Sequence, residues 1–186
     1  MRIVGGTLKG RPLKGPSSNA TRPTSDRLRE SLFNKLAHAY GDPCEGARVL
    51  DLCAGTGALG LEALSRGARF CLFLEEAAEA RALIRDNVEA LGQTGVTKIF
   101  RRDATRLGDA GQMGAGAPFD LVFCDPPYGK GIAEAALASA MKGGWLADAA
   151  LMVVEERTGA FAPPEGFTEL ERRAYDESEL IFLERA

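Results

Sequence analysis

The sequence has few of the residues on which several kinds of chemistry depend. Its 186 residues include one histidine, His38, and one tryptophan. A Ser-His-Asp triad or a histidine-rich metal site is therefore not expected, and we predict no bound metal. The four cysteines are widely spaced and form no CxxC pair. That pattern favours reduced thiols in a cytoplasmic protein over disulfides or a metal centre.

Long apolar runs are also missing. No stretch approaches the roughly 18 apolar residues of a membrane-spanning helix. The first residues, MRIVGGTLKGR, lack the apolar core of a secretory signal. We therefore expect a cytoplasmic protein with no membrane partner. The length suggests one domain with a small appendage, and the absence of an obvious second interface favours a monomer.

Charge is divided unevenly along the chain. Residues 1–35 carry eight Lys or Arg and two acids, a net charge of +6, whereas the remainder has a net charge of −9. A basic segment on an acidic body suggests that a polyanion binds at one face, although solvated charge alone could also produce this division. The candidate contacts to such a substrate are Arg11, Arg22, Arg27 and Arg29.

The N-terminal 40 residues read as an extension of a main domain at 41–186. Short β-like pieces in residues 1–15 suggest a hairpin, and residues 15–22 read as a loop whose ordering on substrate binding is open. A helix is predicted from Thr24 or Ser25 to Tyr40, with an apolar stripe. Arg29 falls inside that stripe, so it either pairs with a core carboxylate or points into a site.

From residue 46 onwards, apolar strand-like runs alternate with helical segments. Strands are predicted at 47–52, 70–75, 97–101, 119–125 and 151–155, helices at 59–67, 77–91 and 132–142, and a closing antiparallel pair in the tail. Because the strands are continuously apolar rather than alternating in polarity, we expect a mainly parallel α/β sheet covered on both faces.

A glycine-rich turn follows the first strand. DLCAGTGALG places Asp51 at the strand end, followed by glycines with the GxGxxG spacing of a dinucleotide site. Glu75 ends the second strand, where an acid can bind ribose hydroxyls. These features alone are also consistent with an NAD-dependent oxidoreductase.

Two carboxylates favour S-adenosylmethionine over NAD. Asp51, at the mouth of the turn, would repel a pyrophosphate but suits a positively charged amino-acid group. Asp103 ends the third strand and could accept a hydrogen bond from an adenine amino group. Acids at successive strand ends lie where ligands bind in open α/β sheets, so we predict a cofactor site there.

The stretch FCDPPYGKG ends the fourth strand at the same edge. The Asp125 carboxylate and the Pro126 carbonyl could accept the two N–H groups of an exocyclic amine and so leave its lone pair available for attack. Pro127 stiffens the turn, and Tyr128 could stack on a base. This arrangement predicts methyl transfer to a nucleobase amine. The rate of that transfer would depend mostly on how the amine is positioned.

These motifs resemble those of a known family. DLCAGTGALGLEALSRGA resembles motif I of class I S-adenosylmethionine-dependent methyltransferases, and DPPY resembles their amino-methyltransferase motif IV. With RIVGGTLKGRPL and TRPTSDRLRESLFNKL, the chain is similar over nearly its whole length to the RsmD family of bacterial 16S rRNA guanine-N2 methyltransferases.

The resemblance implies a Rossmann-like, seven-stranded sheet with an antiparallel last strand. It implies that the cofactor S-adenosylmethionine is bound by Asp51, Ala54, Gly55, Thr56, Gly57, Glu75, Asp103 and Ala104. The target guanine would be received by Asp125, Pro126, Pro127 and Tyr128. The implied partner is 16S rRNA within an assembled or partly assembled small subunit. An adenine-N6 methyltransferase and a noncatalytic RNA-binding module remain open alternatives.

Overall fold

The computed structural model describes residues 1–16 and 24–186. Most of the predicted loop at 15–22 lies outside these residues, and Arg22 lies there too. Among the helices of the described residues, none is long and apolar enough to cross a membrane.

Seven strands form one sheet in the order β3-β2-β1-β4-β5-β7-β6. The strands are β1 (Arg48–Asp51), β2 (Phe70–Leu74), β3 (Thr97–Phe100), β4 (Phe119–Cys124), β5 (Leu146–Arg157), β6 (Phe167–Tyr175) and β7 (Ser178–Arg185). The helices are α1 (Asp26–Ala39), α2 (Ala58–Ser65), α3 (Ala78–Ala90) and α4 (Ile132–Lys142). Short 3₁₀ turns lie at Thr94–Val96 and Ala104–Arg106.

The first five strands pair in parallel, and β7 runs antiparallel to both β5 and β6. The fold prediction is confirmed, including the closing antiparallel pair, although β5 is longer than the predicted 151–155. Successive residues point to opposite faces of the sheet, so Val49 joins one apolar core and Leu50 the other. The central strands β1 and β2 are almost continuously buried, which explains their apolar sequences, whereas the edge strand β6 is largely exposed.

Helix α1 packs on one of these faces. The Ser25 hydroxyl accepts a hydrogen bond from the N–H of Leu28 at 3.1 Å and caps the helix. Phe33 is buried and lies 5.6 Å from Phe123 of β4, measured between ring centroids. Residues 1–16 join the same core and form an antiparallel bridge between Arg2 and Pro12. Helix α1 therefore packs on the sheet beside the end of β4, whereas residues 1–16 form hydrogen bonds to α2 and α3.

Arg29 is not a surface residue, so the prediction that it contacts RNA is wrong. Its side chain is fully buried, and its guanidinium lies 3.7 Å from the equally buried carboxylate of Glu62. It also pairs with Asp26 at 2.7 Å and donates to the backbone carbonyls of Arg2 and Thr24. The apolar arc of α1 faces the core, and an arginine on that arc needs a buried carboxylate.

Replacing Arg29 with methionine should lower the free energy of unfolding by ~1–3 kcal/mol, because the carbonyls of Arg2 and Thr24 would lose a buried donor. Arg66, 2.9 Å from Glu62, would still pair with that carboxylate. Urea unfolding followed by circular dichroism measures this. Arg27→Met is the matched control, since Arg27 is exposed on the same helix and its loss should change stability by no more than about 0.5 kcal/mol. Equal unfolding midpoints for the two variants would contradict the buried-pair assignment.

Candidate active site

A cavity of about 720 Å³ lies at the edge of the sheet where the parallel strands end. Ligands of open α/β sheets bind at this edge. Several of the predicted cofactor and target residues line the cavity: Gly55, Glu75, Asp103, Ala104, Asp125, Pro126, Pro127 and Tyr128. The structure thus brings together in one space residues that are dispersed in the sequence.

The glycine turn needs its glycines for two different reasons. Gly57 has a φ of +82° and immediately precedes α2, a conformation that other residues rarely adopt. At Gly60, an added Cβ would lie 2.5 Å from the Phe73 ring and 2.6 Å from the Cys71 sulfur. The first glycine therefore permits the turn, and the second lets α2 approach β2 closely.

Asp51, predicted at the mouth of this turn, is buried beneath it and is not among the residues that line the cavity. Its side chain is 1% exposed, and its Oδ2 accepts a hydrogen bond from the N–H of Gly60 at 3.2 Å. Burial raises the pKa of Asp51 to about 7, with a further contribution from Glu75. Its Oδ1 is buried without a hydrogen-bond partner among the described residues. The carboxyl group therefore anchors α2 through one of its two oxygens.

Glu75 forms part of the cavity wall and also secures the turn. Its Oε1 accepts a hydrogen bond from the N–H of Gly55 at 2.9 Å, and its Oε2 accepts one from the N–H of Ala77 at 2.9 Å. Each carboxylate oxygen can accept more than one hydrogen bond, so the group can also receive hydroxyl groups of a ligand.

Asp103 lines the same cavity. Its Oδ1 accepts hydrogen bonds from the N–H of Thr105 at 2.9 Å and from the Thr105 hydroxyl at 2.7 Å. These bonds lower the pKa of Asp103, so the group is an acceptor at neutral pH. The bonds also fix the short 3₁₀ turn that places Ala104 in the cavity wall.

Asp125 follows β4 and is partly buried. Its Oδ2 accepts a hydrogen bond from the Thr24 hydroxyl at 2.7 Å. Burial raises the pKa of Asp125 well above the usual range, and the adjacent Glu155 raises it further. Beyond the two prolines, the Tyr128 hydroxyl donates a hydrogen bond to Oε2 of Glu155 at 2.8 Å. The turn is thereby fixed against both α1 and β5.

Comparison with known proteins places this site in a family. The family model described as "Conserved hypothetical protein 95" matches residues 1–184. Ribosomal RNA small subunit methyltransferase D of Escherichia coli (strain K12) is 41% identical over 156 residues, which are 83% of this chain and 74% of that protein. The chain belongs to the RsmD family.

Other RsmD relatives agree over most of the chain. The Haemophilus influenzae protein of the same name is 34% identical over 180 residues, which cover 93% of this chain and 88% of that protein. The solved structure of yhhF from Escherichia coli superposes with a TM-score of 0.82 and 31% identity, covering 100% of this chain and 97% of that chain.

Two residues of this RsmD site were missed by sequence reasoning. Thr24 bonds to Asp125 although the two lie 101 positions apart, and Glu155 contacts both Asp125 and Tyr128. The sequence does indicate the position of Glu155, because this residue directly follows the apolar run LMVV of a predicted strand and so reaches the same sheet edge. Thr24 had none, since nothing in its local pattern indicates which strand end it meets.

The candidate RNA contacts are distributed unevenly in this RsmD chain. Arg27 is exposed beside a second cavity, and Arg11 is exposed with its guanidinium donating to the carbonyl of Ala90 at 2.7 Å. Both belong to the part of the chain, residues 1–16 and α1, that packs against one face of the sheet. No group of three or more metal-binding side chains occurs within residues 1–16 and 24–186.

Proposed function

We propose that this protein transfers a methyl group from S-adenosylmethionine to the exocyclic N2 amine of a guanine in 16S rRNA of the small ribosomal subunit. One observation carries the proposal: Asp125 and Pro126 share a cavity with Glu75 and Asp103. Acceptors suited to an amine therefore adjoin acceptors suited to a nucleoside. The names of the relatives as ribosomal RNA small subunit methyltransferases supply the class of substrate.

The residues present fit this cofactor. Glu75 would accept hydrogen bonds from the ribose hydroxyls, and Asp103 and Ala104 would contact the adenine. The methionine part would lie against the glycine turn formed by Ala54, Gly55, Thr56 and Gly57, with the unpaired Oδ1 of Asp51 available to its ammonium group. When bound, S-adenosylmethionine supplies an electrophilic methyl group on a sulfonium.

The target amine needs help from the protein because its lone pair is delocalised into the ring. The Asp125 carboxylate and the Pro126 carbonyl would each accept one N–H of the amine and hold its nitrogen towards the cofactor. The fixed turn makes this a positioning effect. When the nitrogen has gained the methyl group, its positive charge makes the remaining N–H groups acidic. Asp125 is placed to accept the surplus proton.

RNA would meet the protein on the side of the N-terminal segment. Arg11 and Arg27 are exposed there and would contact phosphates, together with Arg22, which lies outside the described residues. Such contacts make affinity depend on salt. The target base must leave its stack to reach Asp125, as for other enzymes that modify bases.

A methylation assay tests the proposal. Small subunits and deproteinised 16S rRNA from a strain that lacks the corresponding activity are incubated with the protein and labelled S-adenosylmethionine. We expect label in N2-methylguanosine at one mapped position of at least one of the two substrates. Label in N6-methyladenosine, or no incorporation into either substrate, would overturn the proposal.

A further inference from the structure

A second carboxylate lies beside Asp125 at the edge of the sheet. Strands β4 and β5 pair in parallel with Cys124 opposite Val154, so the next residues, Asp125 and Glu155, emerge side by side. Glu155 is 6% exposed, and its proximity, together with burial, raises the pKa of Asp125 well above the usual range. The structure thus presents two adjacent acceptor groups where the target base is expected.

The orientation of Glu155 is fixed by the DPPY turn. The Tyr128 hydroxyl holds its Oε2 at 2.8 Å. The next residue, Glu156, is also buried but bonds to the backbone. Its Oε1 accepts hydrogen bonds from the N–H groups of Gly129 and Arg157 at 2.9 and 2.8 Å. Glu156 therefore supports the backbone of the turn, whereas Glu155 faces the space beside Asp125.

That space belongs to a second cavity of about 640 Å³. Its walls include Thr24 just before α1, Leu28 of α1, and the end of β6 with the turn that follows it, Tyr175 to Glu177. Glu155 lines it, and a small pocket lined by both Asp125 and Glu155 adjoins it. A base entering this cavity would meet Glu155, and the Thr24 hydroxyl that bonds to Asp125 lines the same cavity.

The purine bases differ in what they present to such a pair. The Watson–Crick edge of guanine carries two adjacent donors, N1–H and the N2 amine. Adenine carries an acceptor, N1, beside its N6 amine. A carboxylate is an acceptor only, so it pairs with a donor at N1 and leaves an unpaired buried group opposite an acceptor.

We infer that Glu155 accepts the N1–H of the target guanine while Asp125 receives the N2 amine, so that Glu155 selects guanine over adenine. This inference rests on the proposed function. Binding of the two donors would release to solvent the proton that burial and the neighbouring carboxyl group favour on Asp125 in the free protein. A site built to pair with a donor rejects analogues that lack the donor far more strongly than an apolar pocket rejects a difference in size.

The test uses 2-aminopurine, which keeps the amine at position 2 but has no hydrogen on N1. Small subunits are reconstituted with 16S rRNA that carries guanine or 2-aminopurine at the position mapped by the methylation assay. We expect the kcat/KM of the wild-type protein to favour guanine by on the order of 10²-fold or more. The amide of Glu155→Gln can donate to the bare N1, so this variant should lower the guanine to 2-aminopurine ratio by at least about tenfold.

Glu156→Gln is the matched control. It changes a buried acid one position away that bonds to backbone N–H groups, so the guanine to 2-aminopurine ratio should stay unchanged. Because each ratio compares two substrates with one enzyme preparation, loss of folded protein cancels. If Glu155→Gln is too slow to assay, Tyr128→Phe releases the Glu155 carboxyl group and should lower the ratio by a factor of about three or more, on the scale of one lost hydrogen bond.

A wild-type protein that methylates both bases equally would overturn the inference. An unchanged guanine to 2-aminopurine ratio in Glu155→Gln would also overturn it. If Glu155→Gln is too slow to assay, an unchanged ratio in Tyr128→Phe would do the same. Either result, with normal methylation of guanine-bearing subunits, leaves the proposed function intact. Failure of wild-type methylation on those subunits would instead contradict the proposed function itself.

Discussion

Replacing Asp125 with alanine is expected to slow methyl transfer by on the order of 10² to 10³-fold, the loss typical of removing one preorganised group that contacts the reacting atoms. The target amine would lose the acceptor that holds its nitrogen in place. Cofactor affinity should stay nearly unchanged, because Glu75 and Asp103 are untouched. Single-turnover transfer of labelled methyl gives the rate, and calorimetry gives the cofactor Kd.

The Asp125 result has two checks. Asp125→Asn keeps the shape and one neutral acceptor, so its rate should fall between those of the wild type and Asp125→Ala. Glu165→Gln, which alters an exposed acid, should transfer methyl at the wild-type rate. If Asp125→Ala retained a rate within about fivefold of wild type, a loss too small for such a group, the role assigned to this carboxylate would be wrong.

Glu75→Ala should show the opposite pattern. Its two oxygens hold the glycine turn and are proposed to bind the ribose, and hydrogen bonds to a charged group contribute about 1.5–3 kcal/mol each. Cofactor affinity should therefore fall by on the order of 10²-fold or more. At saturating cofactor the transfer rate should largely recover, since Asp125 and Pro126 remain in place. Cofactor titration followed by single-turnover assays at rising cofactor concentration separates the two effects.

The control for Glu75→Ala is Glu89→Gln. Glu89 is an exposed acid on α3, so its replacement should leave the cofactor affinity at the wild-type value. Wild-type cofactor affinity in Glu75→Ala would show that this carboxylate does not bind the ribose. A transfer rate that stays low at saturating cofactor would show that its effect extends beyond binding.

The parallel sheet was predictable because its signals are local. Continuous apolar runs indicate strands buried on both faces, and acids directly after such runs must lie at one edge when the strands are parallel. Glu75 and Asp125 follow this rule, Asp103 lies three residues beyond the end of β3, and all three line the cavity. For Glu75 and Asp125, position along the strand was enough.

Details that depend on contacts between distant segments were not predictable. Helical periodicity placed Arg29 on the apolar arc of α1, but the choice between a core partner and a site depended on where Glu62 of α2 would lie. Asp51 is the last residue of β1 and so reaches the same edge as the other acids, yet the packing of α2 covers it. The pairing of Asp125 with Glu155 depends on the register between β4 and β5, which no local pattern specifies.

The position of β7 bears on how the molecule assembles. It is synthesised after β6 but lies between β5 and β6, so β6 reaches the sheet only through β7. The two are joined by a tight turn in which Asp176 has a φ of +53°, a local connection that forms quickly compared with distant pairings. The hairpin joins the sheet through β7, which pairs with β5, the strand that carries Glu155. Because residues of the connecting turn line the second cavity, that cavity is complete only when the hairpin is in place.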